Sequence, residues 1–259
     1  MIEMPTFIAI ILNLVISFGI PIGFIVYLSV KKKQVIKSAL IGVAVFIVFQ
    51  YLIRIPLLNQ VFSTMEWFIN MTMNPWAYGV FLGLTAGLAE ELGRYLAFST
   101  VLKEKLRFVD GIAYGIGHGG IEAMLIYGMA NINNLVIAIS INNGTYGSLG
   151  VTEALKDQFL NISSSMMLMG GIERVFAMTI QIAFSILVLY AVKKRRFRYI
   201  ILAIILHMVV DSPIVILPKV FRVGVMGVEG LIGVMAVIGA VWIFKSRRLF
   251  EEEQTVKTL

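Results

Sequence analysis

The chain has 259 residues, 59% of them hydrophobic, and a mean hydropathy of +0.89. That apolarity exceeds what a soluble core of this length requires, which excludes an ordinary soluble globular protein. Its 22 Lys and Arg outnumber 15 Asp and Glu for a net charge of +7, and with no cysteine it has no disulfide, thiolate metal site or cysteine nucleophile.

Apolar stretches of about 20 residues, the length a helix needs to cross the hydrocarbon layer, recur along the whole sequence. An all-α, polytopic transmembrane helix bundle is expected, with about seven spans and short interfacial helices, forming one transmembrane domain over residues 1–259. The first span is predicted at 7–30. Its opening, MIEMPTFIAIILNLV, has no basic leader and no small-residue cleavage site, so it reads as a retained helix rather than a signal peptide. The second span is predicted at 35–58, and the following NQVFSTMEWFINMTMN reads as an interfacial helix with Trp67 and Phe68 at headgroup level. The third, 75–102, holds AEELGRYLAF, with Glu90, Glu91 and Arg94 inside an otherwise apolar run. A charge at that depth costs at least about 2.5–3.5 kcal/mol, so the cluster needs a partner or a chemical role. The fourth, 109–130, runs toward an Asn/Gly cluster that ends it; residues 151–168 read as a surface helix or loop; and the last three spans are 169–192, 199–217 and 223–244.

Basic residues alternate with the spans. KKKQVIK, KEKLR, KKRRFR, KSRR and Lys257 hold 16 of the 22 Lys and Arg, whereas Arg54, Lys156, Lys219 and Arg222 fall on the opposite side. The positive-inside bias predicts a multi-pass protein with its N-terminus outside and its C-terminus in the cytoplasm, and the expected location is a bacterial cell membrane. Runs that flank spans so regularly set topology, and no nucleic-acid partner is expected.

The remaining polar groups gather at one level. Counted from the basic ends at about 1.5 Å per residue, Glu90 lies about 18–20 Å deep, Arg94 about 14 Å, His118 about 16 Å, His207 about 13 Å and Asp211 about 20 Å. Glu122 shares a face with His118 one turn further out, and Asp211 shares one with His207, because residues four apart stack on a helix. Glu173 and Arg174 lie near the outer end of their span, and their adjacency predicts a poor mutual pair. Gly79, Gly83 and Gly87 on span three, and Gly111, Gly115 and Gly119 on span four, form small faces of the kind that let membrane helices touch. Contact between these two spans is expected to bring Glu90 beside His118. A desolvated carboxylate suits proton abstraction from water, and Glu90, His118, His207 and Asp211 would also make a zinc shell. No Ser stands in a G-x-S-x-G setting, and Ser212 points to a neighbouring face, so a serine triad is a poor fit.

Glu90-Glu91 with Arg94, the aromatic-glycine run from Tyr114 to His118, and His207-x-x-x-Asp211 together resemble the three motifs of the CAAX-protease and bacteriocin-processing (Abi) membrane peptidases. YGIGHGGIEAM and GGIERVFA resemble more narrowly the YhfC branch, and the resemblance covers a peptidase-like core at about 75–215. It implies an intramembrane protease acting on a membrane-associated peptide or protein. Glu90 would activate water, His118 would assist, and His207 with Asp211 would stabilise the oxyanion or hold a metal such as zinc. Glu91 shares the first motif as the other candidate base. Arg94, Glu122, Glu173 and Arg174 would be supporting residues. The arginine comes one position earlier than in the usual E-E-x-x-x-R. Many relatives have Asn where Asp211 stands, and the HxxxD form is similar to PrsW-type relatives. An ionised Asp cannot donate to an oxyanion, which favours orienting His207 or binding metal. Two other classes use the same buried cluster: a proton-coupled secondary transporter, against which no inverted repeat is found, and a non-enzymatic immunity or sensor protein.

Overall fold

In the computed structural model the chain is a bundle of helices with no strands among the described residues, which are 1–32 and 34–256, with side chains to 251. Lys33 and Lys257, counted above with the basic loops, lie outside that set. Among the described residues, and leaving aside the short 3-10 turn Tyr146–Leu149, nine helices follow in chain order: α1 Met4–Lys31, α2 Val35–Thr64, α3 Glu66–Thr72, α4 Pro75–Ser99, α5 Phe108–Asn142, α6 Glu153–Asn161, α7 Ser164–Lys193, α8 Arg198–Phe221 and α9 Val225–Val256. Six of these, α1, α2, α5, α7, α8 and α9, are long and apolar enough to cross a membrane. At 25 residues α4 has the length as well. Its own Glu90, Glu91 and Arg94 dilute its apolarity, and counting it gives seven spans in a multi-pass membrane protein.

Local chemistry fixes the helix ends. Asn74 Oδ1 accepts from the Trp76 and Ala77 amides at 3.0 and 3.2 Å, with Pro75 in the first turn of α4 where no donor is lost. Asp110 accepts from the Arg107 amide and side chain at the start of α5 and from Ser38 of α2 at 3.1 Å. Thr152 and Ser163 cap α6 and α7. The predicted ends shift where these signals act: α4 stops at Ser99 and α7 begins at Ser164, while α5 continues past residue 130 to Asn142, where the Asn/Gly cluster ends it. Within α5 the chain widens into a π-helical stretch over Ala123–Gly128, directly after Glu122, and α2 does so over Phe46–Arg54. Such stretches re-aim the side chains that follow them and concentrate at functional sites.

Packing sets the arrangement. In α7, 61% of the most apolar window is buried, against 17–33% in the other five apolar spans, so α7 is the post around which the bundle is built. The glycine faces do bring helices together, but not the pair expected. A Cβ at Gly83 or Gly87 would lie 2.8 Å from the Met208 or Ile204 carbonyl oxygen, so this face of α4 receives α8. A Cβ at Gly115 would lie 2.5 Å from Ile182 Cα, so the matching face of α5 receives α7. On its other side α5 presses on α2, where a Cβ at Gly117 would collide with the Ala39 backbone. Spacing reveals a small face and leaves its neighbour open.

Toward the face bearing the basic loops, Phe98, Leu102, Tyr114, Ile186, Leu189 and Ile200 form a dry core with no solvent exposure. Near the opposite face, Trp67 and Phe68 join Phe62 and Phe81 in an aromatic cluster. Trp67 is exposed as an interfacial residue would be, whereas Phe68 is buried because that cluster covers it.

Candidate functional site

Glu90 lies nine residues from the Ser99 end of α4, His207 nine from the Arg198 end of α8 and His118 ten from the Phe108 end of α5. At about 1.5 Å per residue all three stand roughly 14–15 Å deep, a common level reached without contact between the α4 and α5 glycine faces. His118 Nε2 is 2.9 Å from Glu90 Oε2. Both residues are buried, and the imidazole is gripped edge-on by Phe46, with ring centres 5.4 Å apart.

The two glutamates divide the work. Glu91 Oε1 accepts from Arg94 Nη1 and lies 2.7 Å from His207 Nδ1. Glu90 Oε2 faces His118, Arg94 Nη2 at 3.4 Å and Gln181 Nε2 at 3.1 Å. Residues three and four apart are neighbours on a helix, so Arg94 reaches both glutamates and pairs more closely with Glu91, the i,i+3 neighbour. With Nδ1 held, His207 turns Nε2 toward Asp211 Oδ2 at 3.5 Å and Glu90 Oε1 at 4.0 Å. Phe184 of α7 stacks on the ring, centre to centre 5.1 Å.

Gln181, on α7, is the residue that sequence reasoning missed. Its Oε1 accepts from Arg94 Nη2, and its Nε2 bridges Glu90 Oε2 and Glu122 Oε2, the latter at 2.9 Å. It carries no charge, so the single signal was a primary amide in the apolar run AMTIQIAF. Glu122 in turn meets Arg174 at 3.6 Å, and Arg174 Nε donates to Glu173 Oε2 at 2.6 Å. The poor pairing expected for these adjacent residues is overturned: the long arginine side chain curls back while its fork also reaches Glu122.

Among the described residues, the group whose ligand atoms all lie within 4.8 Å of one another is Glu90, His118 and Glu122. Two carboxylates and an imidazole are a normal zinc donor set. Two carboxylates so close repel unless a proton or a cation lies between them. The donor types and their convergence fit a metal. Of the shell expected from sequence, Glu90 and His118 belong to this group. His207 and Asp211 do not, because Glu91 holds the His207 ring on the far side of Glu90.

A polar cavity of about 320 Å³ adjoins the cluster, lined by Arg54, Glu122, Arg174, Gln181, His207 and Asp211 among others. The cavity extends along Leu82, Glu173, Ile214 and Ile232, toward the ends of α4, α7, α8 and α9 remote from the basic loops. The dry core around Phe98 and Tyr114 closes the basic-loop side. Arg54, placed on the outer side from sequence, stands within α2 and forms part of the cavity wall.

The sequence matches the family model described as YhfC intramembrane metalloprotease over residues 16–244. It is 35% identical over 243 residues to a Bacillus subtilis (strain 168) protein described as "Uncharacterized membrane protein YhfC", with 91% of this chain and 94% of that protein covered. No solved structure matches the chain. The alignment takes in every helix that builds the buried cluster, and the chain belongs to the YhfC intramembrane metalloprotease family.

Proposed function

We propose that the protein is a membrane-embedded peptidase of the cell membrane that hydrolyses a peptide bond of a membrane-associated substrate. The observation that carries this reading is the Glu90–His118–Glu122 triplet, its first two residues buried and Glu122 partly so, at mid-span beside a cavity that holds a second, carboxylate-oriented histidine.

The chain's own groups divide into three tasks. Glu90 Oε2 is occupied by His118, Gln181 and Arg94, which leaves Oε1 as the carboxylate atom that takes the proton of an attacking water. The water oxygen then bonds to the substrate carbonyl carbon. His207 Nε2, held by Glu91 through Nδ1, delivers a proton to the departing amine as the C–N bond breaks, and Asp211 steadies the imidazole. Gln181 and Arg94 fix the carboxylates against each other. Glu90, His118 and Glu122 would hold a metal ion, zinc by donor type, which when bound supplies Lewis acidity to carbonyl and water.

Purified protein in detergent, analysed for metal and assayed for cleavage of membrane-inserted peptides, tests the reading. Wild type is expected to cleave and Glu90→Gln to lose cleavage while retaining its thermal unfolding profile. Equal cleavage by both proteins would remove Glu90 from the chemistry, and Glu122→Gln with an unchanged metal content would remove Glu122 from the metal set.

A further inference from the structure

The three arginines within the spans that meet the polar cluster differ in one respect. Arg94 has Glu90 and Glu91, and Arg174 has Glu122 and Glu173. Arg54 has no carboxylate within 4.0 Å among the described residues. Neutral oxygens hold it instead. Nε donates to Thr85 Oγ1 at 3.1 Å, Nη1 to Gln50 Oε1 at 3.2 Å and Nη2 to the Leu82 carbonyl at 2.6 Å. The Thr85 and Leu82 contacts tie the guanidinium to α4 and Gln50 steadies it from its own helix, while the nearest acids, Glu90 and Asp211, act on its charge only from beyond contact distance. A guanidinium has five N–H donors, so one on Nη1 and one on Nη2 have no partner among the described residues. The group also borders the cavity shared by His207 and Asp211.

A charge kept at membrane depth without a contacting counter-ion is costly, and such residues generally mark a pathway or a ligand. The acids that share the cavity already have partners. Glu122 and Glu173 have Arg174, and Asp211 faces His207 Nε2. What the wall lacks is an anion in contact with Arg54, and two free N–H donors on a planar fork suit a carboxylate.

We infer that Arg54 is a specificity-determining residue that binds an acidic side chain of the peptide substrate in the wall of the cavity, opposite the His207–Asp211 pair. This rests on the peptidase reading and deepens it: the preferred substrate carries an aspartate or glutamate close to the scissile bond. The guanidinium is pre-oriented by Thr85, Gln50 and Leu82, so the acid meets a fork that needs no ordering on binding.

Binding is separated from turnover by using the Glu90→Gln protein in detergent. Its affinity is measured by fluorescence anisotropy for a labelled apolar peptide with a central aspartate and for the same peptide with asparagine. A charge-assisted, bidentate contact predicts roughly tenfold to a hundredfold tighter binding of the aspartate peptide. Adding Arg54→Gln should bring the two affinities together. Arg54→Lys, which retains charge but not the fork, should leave only a small preference, and it replaces the Gln variant if that one fails to fold. Equal affinities in the Arg54-containing protein, or no binding of either peptide, overturn the proposal. So does aspartate-independent binding that phosphatidylglycerol displaces, which would give Arg54 to a lipid headgroup. Discrimination that persists while the wild type cleaves neither peptide would retain the subsite and sink the peptidase reading instead.

Discussion

Glu91 Oε1 accepts from Arg94 on its own helix and lies 2.7 Å from His207 Nδ1 on α8. One carboxylate oxygen therefore couples the buried guanidinium of α4 to the imidazole that faces the cavity. The glycine face of α4 makes this possible, because only a helix pressed against Gly83 and Gly87 brings His207 within reach. Charge, packing and chemistry are thus joined at one pair of helices, and each can be disturbed separately.

Arg94→Leu removes the cation that Glu90, Glu91 and Gln181 share. Stripping one partner from a buried ion pair typically costs about 3–5 kcal/mol, because the opposite charge stays behind unpaired. The variant should unfold at markedly lower temperature or accumulate poorly in the membrane, read by a thermal melt in detergent or by expression level. Unchanged stability with selective loss of turnover would instead put Arg94 in the chemistry.

Helix contact is tested at Gly87. A Cβ there would lie 2.8 Å from the Ile204 carbonyl oxygen, a backbone atom that cannot swing aside, so Gly87→Ala must move α8 as a body. Overpacking of this kind costs about 1–3 kcal/mol, and it should also loosen His207 from Glu91 and lower activity. Gly23→Ala in α1 is the control: a Cβ there meets nothing within 4 Å, and the helix gains propensity, so stability should hold or rise. Matching melts for the two variants would show that the α4–α8 approach is looser than the structure has it.

What the sequence made legible follows from cost. Ionised groups in an apolar run are expensive, so Glu90, Glu91, Arg94, Glu122 and both histidines stand out, and helical rise alone puts three of them at one level. Gln181 costs less and leaves no such mark, although it connects Arg94, Glu90 and Glu122. Glycine spacing identified two close-packing faces, but pairing them needs the three-dimensional neighbour, and α7 and α8 proved to be the neighbours. The direction of the cavity was equally hidden, because it depends on where large residues such as Phe98 and Tyr114 fill the space around the site.

The alternation of basic loops predicts orientation independently of the site. Reporter fusions after Lys105 and Arg196 should both score cytoplasmic, with Lys33 expected to agree. Lys105 and Arg196 border helix ends on the face closed by the dry core, so the cavity would then extend toward the outside of the cell. One clear extracellular signal among the three fusions would overturn that topology and reverse the side from which substrate and water arrive.

The final prediction concerns whether Glu90 and His118 act as one unit. Their side chains meet at 2.9 Å across α4 and α5, and both belong to the triplet with Glu122. Glu90→Gln preserves size and hydrogen bonding while removing the proton acceptor, and His118→Ala removes its partner. If each depends on the other, the first substitution already forfeits what the second would take. The double variant should then be little slower than either single one, as for other catalytic groups that work together. Independent roles would multiply the two losses. The measurement is kcat/KM for the wild type, both single variants and the double variant on one membrane-inserted peptide, with folded fractions matched by thermal melts. Multiplicative losses would separate the two residues, and full activity in Glu90→Gln would remove the pair from the reaction altogether.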